Sequence, residues 1–168
     1  MKAELAGEGL TPHLGLVRAV FLVVALALAA CSPQKSAPAA LAGQHLAIVT
    51  RDGASHDFSI EMATTKSEIE NGLMFRTHLD ADAGMLFYFG KPERETAFWM
   101  KDTLIPLDML FIRADGTIKQ IHADARPGDE TEVLSNGPVA GVLEINGGRA
   151  AALGVQVGDK VRSGLFGG

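Results

Sequence analysis

"MLFIRADGTIKQIHA", residues 109–123, sets two apolar stretches on either side of an Asp-Gly pair. Met109, Phe111 and Arg113 alternate with Leu110 and Ile112 before the pair, and Ile118 and Ile121 follow it. A period of two sends successive side chains to opposite faces of an extended strand, and the glycine of Asp115-Gly116 enters a tight reversal freely. The segment therefore predicts an antiparallel hairpin. A second pair, Asp52-Gly53, lies between HLAIVTR (45–51) and HDFSIEMA (56–63) and predicts another. Working outward, MLFYF (85–89), ETAFWM (95–100), VAGVLEI (139–145) and DKVR (159–162) are further strand candidates.

Two short helices interrupt these strands. Thr65-Lys66-Ser67-Glu68 is a capping box, in which the Thr65 hydroxyl accepts from the Glu68 amide while the Glu68 carboxylate reaches back. That helix should run to about Asn71 and stop at Gly72, and Asn146 should cap a second one through GGRAAAL, closed by Gly154. Roughly six to eight short strands with two small helices make an α+β fold, mostly antiparallel β, arranged as a small closed or partly open β-barrel.

The apolar fraction of 47% supports a real core. A net charge of −5, with Lys and Arg scattered singly from Arg51 to Arg162, argues against nucleic acid as a partner. AVFLVVALALAA (19–30) is an apolar run of 12, too short for the roughly 20 residues a spanning helix needs, and Arg18 flanks its amino side. It ends in Leu28-Ala29-Ala30-Cys31, which resembles the bacterial lipobox, and Cys31 is the sole cysteine of the chain. Residues 1–30 are therefore expected to be a signal peptide, with the mature protein held at the membrane through lipid on Cys31. An ordinary secretory peptide cut near Ala30, with Cys31 a bystander, is the competing reading. Glu4 and Glu8 depart from a usual signal n-region and suit a start nearer Val17. Ser32 follows the cysteine with no Asp to retain the protein at an inner membrane, so export to the periplasm and attachment to the outer membrane are expected. SPQKSAPAALAGQ, within 31–44, has too little apolar surface to repay ordering and reads as a tether to a single domain over 45–165.

The most apolar block, FWMKDTLIPLDMLF (98–111), also carries charge. On a strand over 96–101, Phe98 and Met100 face one side while Ala97, Trp99 and Lys101 face the other; Pro106 marks a break, and Asp108 opens the next strand on the face of Leu110 and Ile112. Trp99 and Lys101, with Arg76, Asp108 and Glu144, could line one polar mouth, the aromatic ring as floor, the cations for an anionic group and the carboxylates to orient it. Equally open is a structural arrangement, with Lys101 and Asp108 paired to each other or to backbone at the barrel rim and Trp99 in the core.

Enzyme signatures are absent: there is no G-x-S-x-G, H-E-x-x-H, P-loop or glycine-rich dinucleotide turn, and the only cysteine is assigned to the anchor. Asp80 and Asp82 sit in HLDADAG, a loop whose acids suit solvent. His122 and Asp124, with His56 or His78, contain metal-ligand types, and Met74, Met85, Met100 and Met109 are soft donors for Cu(I), yet methionine at strand spacing is ordinary core filling. No metal or cofactor is expected. The expected role is an envelope accessory domain that binds a small ligand or a protein; the alternatives are a hydrolase or transferase using Lys101, Asp108 and Glu144, and a periplasmic metal-handling protein.

GLMFR (72–76), GMLFYF (84–89), AFWMKDTLIPLDMLFI (97–112), DGTI (115–118) and VLEINGG (142–148) together closely resemble the family called domain of unknown function 192, in the family's order and across the whole domain. The family commonly carries Asn where this chain has Asp102. The resemblance implies an antiparallel β-rich single domain, often exported, and implies no activity.

Overall fold

The computed structural model describes residues 44–166. The expected signal peptide, Cys31 and residues 31–43 of the expected tether lie outside the described residues; Gln44 is the first residue of a strand. In chain order the elements are β1 (Gln44–Val49), β2 (Ser55–Ala63), α1 (Lys66–Asn71), β3 (Ala83–Tyr88), β4 (Ala97–Phe98), β5 (Leu107–Ile112), β6 (Ile118–Ala125), β7 (Val133–Leu134), β8 (Gly141–Asn146), α2 (Arg149–Ala152) and β9 (Lys160–Arg162). Seven strands form one sheet in the order β6-β5-β8-β3-β2-β1-β9, and β4 pairs with β7 in a separate two-stranded ribbon. Every pairing is antiparallel except β2 with β3, whose connection carries α1, as a parallel crossover requires.

The large sheet curls until its two edges touch. Thr117 bridges Lys160, the Ile118 amide donates to the Asp159 carbonyl at 2.9 Å, and the Val161 amide donates to the Gly116 carbonyl at 2.8 Å. The edges meet only there, so the fold is a partly open barrel. Both Asp-Gly hairpins form, β1 with β2 and β5 with β6. In each turn the glycine takes the left-handed backbone, φ +90° at Gly53 and +81° at Gly116, while the aspartates stay at negative φ.

Both faces of the central strands are buried. Inside the curl, Phe58, Ile60, Leu86, Leu110 and Leu143 pack together, sealed by Ala150, Val155 and Phe166. Outside it, Met85, Phe87, Met109, Phe111 and Val142 form a second core beneath Leu73, Met100, Phe98 and Val133. Burial on two faces explains why MLFYF and VLEI read as near-continuous apolar runs, where a half-buried strand alternates.

Helix α1 carries the expected capping box. The Glu68 amide donates to Thr65 Oγ1 at 3.2 Å, and Glu68 Oε2 accepts from the Thr65 and Thr64 amides at 2.9 Å each. Those amides hold the Glu68 carboxyl down to about pH 2, the Thr65 amide contributing most. Helix α2 departs from expectation. Its N-cap is Gly148, at φ +77°, and Asn146 instead donates to the carbonyls of Leu79 at 3.1 Å and Asp80 at 2.8 Å. Gly147 needs its missing side chain, because a Cβ there would come within 2.8 Å of Pro106 Cβ. The strand expected over 95–100 shrinks to Ala97–Phe98, although the expected faces hold, with Phe98 and Met100 turned inward and Ala97 and Trp99 exposed.

Candidate ligand-binding cleft

On the outer face of the sheet, the register of five strands lines up one row of side chains: Glu61, Met85, Glu144, Met109 and His122. The neighbouring row is Phe87, Val142 and Phe111. Phe98, carried by β4, lies over that second row with its ring edge-on to Phe87 at 4.9 Å and to Phe111 at 6.3 Å. The apolar row is thus roofed by the β4–β7 ribbon.

Glu144 is not roofed in the same way. It is 4% exposed and lines a cleft of about 550 Å³ with Ile69 to Met74, Phe87, Phe89, Arg94, Thr96, Ala97, Phe98, Trp99, Thr103 and Glu132. No hydrogen bond or ion pair reaches its carboxyl group among the described residues, and desolvation alone pushes its pKa up to about 8. Glu61, two strands away in the same row, is treated differently: both its oxygens accept from the guanidinium of Arg76, with Nη1 to Oε1 at 2.7 Å. One carboxylate of the row is satisfied by a bidentate fork, and the other faces an aromatic hollow without a partner.

The five residues expected to share one mouth therefore separate. Trp99 and Glu144 line the cleft, Trp99 at its exposed side with 46% of its surface accessible. Arg76 is committed to Glu61, and Lys101 Nζ stands 5.5 Å from the centre of the Trp99 ring, where its charge meets the ring face. Asp108 lies on the opposite side of the sheet. It pairs in register with Ile145, so strand alternation turns it inward while Glu144, one residue earlier on β8, turns outward. Asp108 is at a strand end on the face of Leu110 and Ile112, as its spacing suggested, yet it has no exposed surface. Its Oδ1 accepts from the amides of Asp124 at 2.8 Å and Gly148 at 2.9 Å, and Oδ2 from the amide of Ala150 at 2.8 Å. It supplies from a distant strand the cap that Asn146 does not give to α2, and it is paired with backbone rather than with Lys101.

The family model described as uncharacterized ACR, COG1430 (DUF192) matches residues 47–163. The chain belongs to the DUF192 family. Two crystal structures resemble the DUF192 domain. One is of a candidate transcription regulator from Sinorhizobium meliloti 1021, 46% identical, with a TM-score of 0.69 and coverage of 70% of this chain and 91% of that one. The other is of a protein of unknown function from Novosphingobium aromaticivorans DSM 12444, 44% identical, with a TM-score of 0.67 and coverage of 71% and 84%. No curated protein matches the chain.

The DUF192 cleft has an acid that is protonated at neutral pH, four aromatic rings and a polar mouth where Glu132 and Arg94 are exposed. The Arg94 guanidinium lies 4.0 Å over the Phe89 ring. A protonated carboxyl can donate one hydrogen bond and accept another, and an ionised one can hold a cation. Arg94 and Glu132 escaped the sequence reading as cleft residues, because they reach it from an isolated bridge and the turn before a two-residue strand, which leave no periodic trace; the helix over 66–71 was expected, but not that it lines a cleft. Met85 and Met109 flank Glu144 in the outer core, and Met74 lines the cleft. Among the described residues no three His, Cys, Asp or Glu side chains group closely enough to hold a metal ion. Asp82 is engaged by Arg149, and His78 and Asp80 contact each other at 2.9 Å, so the loop acids are taken by surface pairs.

Proposed function

We propose that this DUF192 domain is the ligand-binding part of a lipid-anchored envelope protein, and that it holds a small molecule with an apolar body and a polar head in the cleft over Glu144. The observation that carries the reading is a buried carboxyl group with no partner among the described residues at the base of an aromatic hollow. Burying an ionisable group without a partner is costly, and Met85, Met109 and Val142, buried around it on the same face, show what the sheet otherwise places in such positions. The cleft lies within the roughly 300–1,000 Å³ range of small-molecule sites and has their makeup, mostly apolar walls with a few convergent polar groups. Anchoring rests on the apolar run 19–30 and the lipobox-like Leu28-Ala29-Ala30-Cys31. The name of the Sinorhizobium meliloti protein invites a DNA-binding reading; scattered basic residues and a net charge of −5 favour a small-molecule role instead. The hydrolase or transferase built on Lys101, Asp108 and Glu144 loses its support, since the sheet stands between Asp108 and Glu144.

Trp99 is the only tryptophan in the chain and lines the cleft, so occupancy reads out as a change in its fluorescence. Small apolar compounds should perturb Trp99 and raise the melting temperature of the wild type. Ala97→Phe, at an exposed cleft-lining position, should abolish both responses while leaving the fold intact. Ligands that stabilise both proteins equally would refute a site in this cleft. For the anchor, Cys31→Ser should move the protein from the membrane fraction to the soluble one; retention at the membrane would refute lipidation there.

A further inference from the structure

Resting on the cleft reading above, we infer that the polar head of the ligand is an organic ammonium group, which ion-pairs with the Glu144 carboxylate and lies among the rings of Phe87, Phe98 and Trp99. The geometry that points to it is the mismatch inside one row of the sheet. Glu61 has its cation, Arg76, and Glu144 in the same row has none, although it is the more deeply buried of the two. A buried carboxyl group that no hydrogen-bond donor reaches among the described residues is complementary to a ligand that brings both donor and positive charge. Aromatic faces suit the same head, because their negative quadrupoles attract an ammonium within about 6 Å of the ring centre.

The charges around the cleft have the sign this requires. Glu132 and Glu70 line it from the β7 side and from α1, and among the described residues Arg94 is the one lining cation, held over Phe89. Lys66 stands 3.7 Å from Glu70 on the solvent side of α1. From the strands flanking Glu144, Met85 and Met109 present thioethers, which do not titrate, and the next positions along the row are Glu61, already paired to Arg76, and the exposed His122. Among the described lining residues, Thr96 and Thr103 carry the hydroxyls. A ligand carboxylate would meet Glu132, Glu70 and Glu144, with Arg94 and, at the Trp99 ring, Lys101 to offset them among the described residues.

Binding couples to protonation in a fixed stoichiometry. The alkylammonium stays charged below about pH 9, so ammonium plus the protonated Glu144 gives the ion pair plus one proton released to solvent. Below about pH 8, where the free Glu144 is neutral, affinity should fall about tenfold for each unit of acidification.

The test uses three probes on one skeleton with the purified full chain: phenethylamine, 2-phenylethanol and 3-phenylpropionate, followed by Trp99 fluorescence and by calorimetry in buffers of different ionisation enthalpy. Phenethylamine should bind at least tenfold more tightly than 2-phenylethanol at pH 8, release about one proton at pH 6.5, and weaken about tenfold between pH 7 and pH 6. Glu144→Gln should erase the preference for the amine, the proton release and the pH dependence, while 2-phenylethanol binding persists. If 2-phenylethanol or 3-phenylpropionate binds the wild type as tightly as the amine, or the amine binds without proton release, the ammonium inference is overturned and the cleft reading stands. If none of the three probes binds, both are overturned.

Discussion

Replacing Glu144 by Gln should make the protein more stable at alkaline pH and leave it nearly unchanged in acid. Gln has the shape of a protonated Glu and cannot ionise. In the folded chain desolvation raises the Glu144 pKa from 4.5 to about 8. Between those two values the folded state holds a proton that the unfolded state has lost. Stability therefore falls as pH rises through this window, by about 1.4 kcal/mol per pH unit, and levels off above pH 8. The full loss is about 5 kcal/mol, on the order of a third to the whole of a small domain's stability. At pH 5 the wild type and Glu144→Gln should agree to within about 1 kcal/mol; at pH 7 the variant should lead by about 3 kcal/mol, and at pH 8.5 by about 5. Urea denaturation at half-unit intervals from pH 5 to pH 8.5 measures this directly. A gap of 5 kcal/mol displaces the midpoint by on the order of 2 to 4 M. Subtracting one curve from the other cancels every other titrating group. A difference that stays flat across the range would refute the unpartnered, desolvated state of Glu144, and with it the ground for reading the cleft as a site. Saturating phenethylamine at pH 8 should narrow the gap by stabilising the wild type more than the variant, by about 2.7 kcal/mol at a hundred times the wild-type Kd against about 1.4 kcal/mol for a variant that binds tenfold more weakly.

Asp108→Ala should cost about 4 kcal/mol in chemical denaturation, because three buried or half-buried amides lose their acceptor together, and Asp108→Asn about half of that, since one oxygen remains; a loss below 1 kcal/mol for the alanine variant would refute its role as the trans cap of α2. Asp102 holds φ +53°, a region that Asn enters as readily as Asp. Asp102→Asn should accordingly shift stability by less than about 0.5 kcal/mol, while Asp102→Val, branched at Cβ, should cost more than 1 kcal/mol in the same assay. The capping-box carboxyl of Glu68 titrates near pH 2, so its contribution is complete above pH 4.5 and lost as pH falls toward 2. Glu68→Gln should flatten that acid limb of the thermal melting profile, and an unchanged limb would show that the capping box does not act through the charge.

What was legible in the sequence was what local chemistry determines. An Asp-Gly pair between alternating strands and a Thr-x-x-Glu box at the start of a short polar helix specify their conformation within a few residues, and both formed where they were expected. The left-handed backbone at Asp102 was not foreseen, and it gives the family's Asn at that position a physical reason: both side chains tolerate the conformation that lets the Asp102 carbonyl accept from the Phe75 amide at 2.8 Å. The short β4–β7 ribbon was not legible, because two-residue strands have no period to detect. Yet this ribbon roofs half of the outer core and makes one wall of the cleft.

The separation of the five expected site residues has a more general cause. Alternation fixes the face of each residue relative to its own strand: Asp108 goes with Leu110, and Glu144 with Val142. Whether two strands present those faces to the same side depends on register, and register depends on bulges and turns far from either residue. Here β5 and β8 pair so that Asp108 stands opposite Ile145. A shift of one residue would have brought Asp108 and Glu144 together on one face as a carboxylate pair. The observed register sends one inward to three backbone amides and the other outward to a hollow where no donor reaches it among the described residues, so two acids on neighbouring strands acquire opposite chemistry. Asp108 belongs to folding, since both of its oxygens are engaged by backbone amides of the chain. Glu144 has its hydrogen-bonding capacity unspent, and that unspent capacity is what makes the outer face of this sheet, rather than the barrel interior, the place to look for a ligand.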